Sequence, residues 1–381
     1  MKSTTLFGID TLIKHPEKLN NLRIGLACNA ASMTSDGIHS RIALLKAGFN
    51  IIKYFAPEHG FQSVGDDGAY ISNSTDKETN IPIISLYGDK LAPSKEDLAD
   101  LDLVIIDLPD IGTRFYTYLW TMTHILESCE RNHKKVLLLD RPNPIAQDIA
   151  YAEGPLLDSK CASFIGRFNI PITHHTTFGE LAQYFKHNFY PKLSLEIIKM
   201  KNWDRVHNDG YPFFPTSPAI QKRDTTYTYP GSCLFEGLNI NEGRGTEYPF
   251  SQFGAPWIDA KVLLKNLEEK KYNVDFEIVK YKPAFGLYTN ELCHGLKVSP
   301  KDKKRFQSVQ FYIELIQLIY TLHPNELEER KYPTNANPNG TKHLDKLIGV
   351  PNSFEFLKNN KVNTSAKITY WINEISPFLL Y

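Results

Sequence analysis

Between about residue 20 and residue 200, short apolar runs alternate with segments of helical periodicity, and few folds accommodate that alternation. A run apolar at every position suits a strand covered on both faces by helices, as in a parallel sheet; a strand wet on one side would alternate apolar and polar residues. The strand candidates are residues 23–28 (RIGLAC), 51–55 (IIKYF), 82–86 (PIISL), 103–107 (LVIID), 136–140 (VLLLD) and 195–200. Helices are expected over 38–47, 118–131 and 178–189. The last of these opens behind Thr177 with Glu180 three positions on, a capping-box pattern.

In open α/β sheets, ligands bind in the crevice beyond the carboxyl ends of the strands. The run 51–55 hands over to Pro57-Glu58-His59-Gly60, placing a carboxyl group and an imidazole at such an end. The other runs do likewise: 23–28 delivers Asn29, 103–107 leads to Asp110, Arg114 and Tyr116, and 136–140 ends in Asp140 followed by Arg141 and Asn143. A merely solvated rim would not call for Asn, Asp, Arg, Glu and His together, so the convergent set reads as a site.

From about 202 to 257 the chain turns to Pro, Gly, Tyr and Asn with little periodicity, a stretch long enough to suggest a functional segment. It contains EGLNINEGRGTE, which supplies Glu236, Asn239, Glu242 and Arg244. The glycines beside Arg244 would let the backbone approach a ligand while the guanidinium grips a carboxylate. The plainer alternative is an arginine that ties the loop to a structural acid. Beyond 260, a short helix, a strand near 276–279 and a helix over 303–322 are expected, the last with Phe306, Val309, Ile313, Ile316 and Tyr320 on one stripe.

Lys+Arg and Asp+Glu both number 43, so no basic surface is expected for nucleic acid or an anionic membrane. No Gly-x-Gly-x-x-Gly, phosphate loop or Gly-x-Ser-x-Gly occurs. His174 and His175 are adjacent and lack a third ligand at a useful spacing, so neither a metal nor a cofactor is expected. The five cysteines are scattered and read as free thiols. No apolar stretch is long enough to span a bilayer and no export signal opens the chain, which suggests the cytoplasm, or the periplasm or exterior had a signal been trimmed. What remains is an inventory of carboxylates, arginines, Asn and Tyr suited to acid/base hydrolysis of a polar substrate such as a glycoside. A non-catalytic sugar-binding protein and a sugar transferase are the alternatives.

The segments FAPEHGF, DIGTRFYTY, LLLDRPNP, YPGSCLFEGLNINEGRGTEYPF and the closing FLLY resemble those of the NamZ-type exo-β-N-acetylmuramidases, in the same order and over nearly the whole chain. Ala219 stands where asparagine often lies in that family. The resemblance implies an α/β fold: a Rossmann-like catalytic domain, placed at 1–258, and a smaller α+β auxiliary domain at 259–381, with the active site between them. It also implies release of N-acetylmuramic acid from the non-reducing ends of peptidoglycan fragments, with Glu58 as the leading catalytic residue. On this reading Glu58 is a general acid kept protonated by burial, His59 and Asp110 shape its surroundings, and Glu242 is the second carboxylate with Glu236 and Asp140 in reserve. Arg114, Arg141 and Arg244 are candidates for the lactyl carboxylate of the sugar. Asn29, Tyr116, Asn143 and Asn239 complete the expected substrate contacts.

Overall fold

A computed structural model describes residues 4–19, 21–61, 72–206, 209–335 and 337–381. Its larger sheet holds strands β1 (Ile24–Ala27), β2 (Ile51–Ala56), β3 (Ser74–Thr75), β4 (Pro82–Ser85), β5 (Leu103–Ile106), β6 (Lys135–Leu139) and β7 (Leu195–Ile198). Their spatial order is β3-β4-β2-β1-β5-β6-β7, parallel throughout except for the short β3. Without β3, the strands taken in chain order lie 3-2-1-4-5-6, the Rossmann arrangement.

The apolar runs become strands because both of their faces are covered. Side chains alternate across the pleat, so Val104, Ile106, Val136 and Leu138 enter one core while Ile105, Leu137 and Leu139 enter the other. The first core is closed by helices Tyr118–Arg131 and Phe178–Phe189, which contribute Leu119, Met122, Leu181 and Phe185. The second is closed by Gly8–Leu12 and Ser40–Lys46 through Ile9, Leu12 and Leu44. Each such aliphatic side chain contributes roughly 1.5–3 kcal/mol on full burial. At Thr177 the expected capping box forms: the Glu180 N–H donates to the threonine hydroxyl at 3.3 Å, and the Thr177 N–H donates to the Glu180 carboxylate at 2.8 Å.

The carboxyl-terminal part carries a three-stranded antiparallel sheet, β8 (Gln252–Ala255), β9 (Val274–Tyr281) and β10 (Cys293–Pro300), with β10 central. Its first strand therefore comes from before residue 258. The stretch 202–257 is also less irregular than expected, since Arg223–Ser232 is a helix despite Pro230 and Gly231. Packing explains it. Gly231 lies so close to helix Ser308–Leu322 that a Cβ there would stand 2.2 Å from the Ser308 carbonyl oxygen, and its N–H donates to the Ser308 hydroxyl at 3.0 Å. Three further short helices, His343–Ile348, Ser353–Lys358 and Ile368–Ile375, follow.

Buried Arg114 and Glu153 and half-buried Tyr381 help to join the two parts. The Arg114 guanidinium donates to the carbonyls of Pro155 and Ile170 on one side and of Leu347 and Ile348 on the other, at 2.8–2.9 Å. The Glu153 carboxylate accepts the N–H groups of Val309 and Gln310 at the start of helix Ser308–Leu322, at 3.3 and 2.8 Å. The Tyr381 hydroxyl donates to Asp140 at 3.0 Å and accepts the Met200 N–H at 2.7 Å. All five cysteines are buried and none forms a disulfide. Among the described residues, no helix is long and apolar enough to cross a membrane.

Candidate active site

A cavity of about 540 Å³ lies beyond the carboxyl ends of β2, β4 and β5, walled on its far side by the carboxyl-terminal part. Strand β2 stops at Ala56 because Pro57 has no N–H for the ladder, and a tight turn follows, with Gly60 N–H donating to Pro57 O at 3.0 Å. His59 takes the left-handed conformation in that turn, φ 64°. Glu58 and His59 both line the cavity although Glu58 is only 4% exposed. The His59 ring sits edge-on to Tyr118, centroids 6.5 Å apart.

Thr117 stands at the N-cap position of helix Tyr118–Arg131, yet its hydroxyl makes no capping bond. It donates instead to Glu58 Oε2 at 2.6 Å. A threonine N-cap contributes about 1 kcal/mol to its helix, so the helix forgoes that stabilisation to hold the carboxyl group.

The opposite wall carries a second carboxylate, Glu236, which is also buried. It pairs with Arg244 Nη1 and lies 3.2 Å from His343 Nε2. Burial pushes its pKa up, but the Arg244 charge and the His343 contact outweigh that and hold it at about 2. Tyr332 stacks on the His343 ring at 4.5 Å. Arg244 Nη1 also donates to Glu242 Oε1 at 3.0 Å, with the guanidinium 4.7 Å over the Phe250 ring. Gly243 and Gly245 do have positive φ, 84° and 79°, but a Cβ on either would stand 2.6 Å from a backbone oxygen, of Tyr248 and Phe285 respectively. They let the loop pack against backbone, and Arg244 projects from the turn between them.

Of the residues expected from the sequence, the structure gathers Glu58, His59, Tyr116, Glu236 and Arg244 around the cavity. Tyr116 donates its hydroxyl to Thr216 Oγ1 at 2.7 Å. Glu242 stands behind Arg244, outside the lining, and its Oε2 is buried without a hydrogen-bond partner among the described residues. The other expected contacts lie elsewhere, each for a physical reason. Arg114 is spent on the four carbonyls that join the two parts. Arg141 donates to Asp107 through Nε at 2.5 Å and Nη2 at 2.8 Å, and Ser40 completes that cluster. Asn29 folds its own turn, accepting the Ala31 N–H at 3.1 Å. The crevice beyond β1 and β5, where Rossmann proteins take dinucleotides, is thus filled by Asn29, Ser32, Ser40, Asp107 and Arg141.

Asp140 accepts the Gly179 N–H at 2.8 Å and the hydroxyls of Thr177 and Tyr381, and burial raises its pKa to about 7. Asn143 donates to Thr176 O at 2.9 Å, and Asn239 donates to Glu326 O at 2.7 Å on the outer surface. Asp110 is buried against the neighbouring backbone, 3.4 Å from His174 Nε2; burial raises its pKa to about 7 and lowers that of His174 to about 3. Among the described residues no group of three His, Cys, Asp or Glu is placed to hold a metal. Sequence reasoning passed over Thr117, His343 and Lys346, all of which line the cavity. Thr117 lies within DIGTRFYTY and could have been weighed; His343 and Lys346 carry no local signal.

A Rossmann-ordered sheet whose carboxyl rim opens into a carboxylate-lined cavity, closed by an α+β part, places the chain among α/β proteins with a ligand site at the strand ends. Residues 24–224 match the amino-terminal domain of the exo-β-N-acetylmuramidase NamZ and residues 227–381 match its carboxyl-terminal domain. The peptidoglycan β-N-acetylmuramidase NamZ of Bacillus subtilis strain 168 is 35% identical over 328 residues, covering 84% of this chain and 78% of that protein. Two crystal structures of DUF1343 family proteins from Bacteroides fragilis superpose with TM-scores of 0.87 and 0.78, at 27% and 26% identity, each over at least 99% of both chains. The chain belongs to the NamZ exo-β-N-acetylmuramidase family and is a glycoside hydrolase.

Proposed function

We propose that this enzyme releases N-acetylmuramic acid from the non-reducing ends of peptidoglycan fragments, with Glu58 as general acid. The observation that carries this assignment is a buried carboxyl group that still lines the cavity and takes the hydroxyl of a helix N-cap for itself. The substrate class is supported by the name of the B. subtilis relative. In the reaction Glu58 gives its proton to the glycosidic oxygen as the C1–O bond breaks, and a water then adds to C1 and gives a proton back to the Glu58 carboxylate, restoring the acid. His59, fixed against Tyr118, shapes the surroundings of that acid. Glu236, held ionised by Arg244 and His343, provides the negative wall toward which positive charge develops at the sugar ring, and Glu242 steadies Arg244 from behind. Tyr116, Tyr229 and Phe250 give the cavity an apolar wall for the sugar ring.

Incubation with short, defined glycan fragments bearing a non-reducing-end N-acetylmuramic acid tests the reading. The first product resolved by mass spectrometry should be the single sugar acid. Early mixed internal fragments would show an endo mode, and no cleavage of any muramide would refute the assignment.

A further inference from the structure

Among the described residues two side chains of lasting positive charge line the cavity, Arg244 and Lys346, and they differ in what surrounds them. Arg244 is already met by the carboxylates of Glu236 and Glu242. Lys346, half-buried on helix His343–Ile348, has no ion-pair or side-chain hydrogen-bond partner among the described residues. Its acidic neighbour Asp345 is occupied in accepting the N–H groups of Ser353 and Asn352, at 2.7 and 3.1 Å. The thiol of Cys161, whose segment continues into the cavity wall at Ser163, is pushed up to about 11 by burial and so stays neutral. An ammonium that has lost part of its hydration without gaining a counter-charge is stabilised when an anion arrives.

We propose that Lys346 binds the lactyl carboxylate that distinguishes N-acetylmuramic acid from N-acetylglucosamine, and so sets the enzyme's preference for muramides. This rests on the muramidase reading above and names its specificity residue. The role expected of three arginines passes to one lysine: Arg114 and Arg141 are spent inside the protein and Arg244 is already neutralised. An ammonium with donors free to rotate suits a carboxylate on a short flexible ether arm.

The test compares an aryl β-N-acetylmuramide with its uncharged lactyl amide, in the wild-type enzyme and in the Lys346→Met and Lys346→Arg variants. Wild type should favour the charged substrate in kcat/KM, and Lys346→Met should shrink that ratio by about 10- to 100-fold, the worth of a charge-assisted hydrogen bond, chiefly through KM. Lys346→Arg should keep most of the preference. An unchanged ratio in Lys346→Met, or an equal loss on both substrates, overturns the proposal. Should wild type cleave neither, the muramidase reading falls and calorimetric binding of N-acetylmuramic acid and its lactyl amide decides for Lys346. Tighter binding of the acid that disappears in Lys346→Met supports the proposal, and equal binding of both overturns it.

Discussion

Glu58 and Arg244 show how differently charged residues are treated within one cavity. The arginine is surrounded by counter-charge, whereas the glutamate receives a hydroxyl from Thr117. Glu58→Gln keeps the shape of the side chain but has no proton to give. General acid catalysis contributes about 100- to 10,000-fold, and we expect a loss of that size on natural disaccharides. The loss should be smaller on an aryl glycoside, whose phenolate departs with little help. Steady-state kinetics on both substrates decide: near wild-type rates in a folded Glu58→Gln protein would make Glu58 structural, and equal inactivity on both would make it a nucleophile or an orienter.

Elements of the larger sheet were legible because their signals are local. An all-apolar run reads as a covered strand, and Thr177 with Glu180 reads as a helix start. Helix Arg223–Ser232 was not, since threonines, Pro230 and Gly231 all disfavour it and only its fit against Ser308–Leu322 makes it form. That fit yields a prediction: Gly231→Ala should destabilise the protein by about 1–3 kcal/mol through overpacking, read as a lower midpoint in urea. An unchanged midpoint would mean that the two helices part without cost. Site residues divide in the same way. Glu58 and His59 announce themselves in one tetrapeptide, but Arg141 and Arg114 find partners 34 and 234 residues away, and no single segment reveals that pairing.

At the scale of the whole molecule, Glu153 couples the two parts to pH. Burial raises its pKa from 4.5 to about 7, only partly offset by the N–H groups it accepts. The folded state therefore favours the protonated acid, and its contribution, complete below 4.5, is lost as pH rises through 7. Glu153→Gln cannot ionise, so relative to wild type it should gain stability as pH rises from about 4.5 to about 7, by up to about 1.4 kcal/mol per pH unit. Buried Asp110 and Asp140 act in the same direction as Glu153, and His174 and His175 act oppositely, but these are common to both proteins and cancel in the difference. Denaturation midpoints of the pair at several pH values give the measurement, and a constant gap would refute it. One consequence concerns synthesis. The cavity's walls run from Glu58 to Leu347, and Arg114 lacks two of its carbonyls until Leu347 and Ile348 have been added. A growing chain thus carries Glu58 long before the far wall of the cavity exists, and a fragment that stops short of Leu347 has no complete pocket.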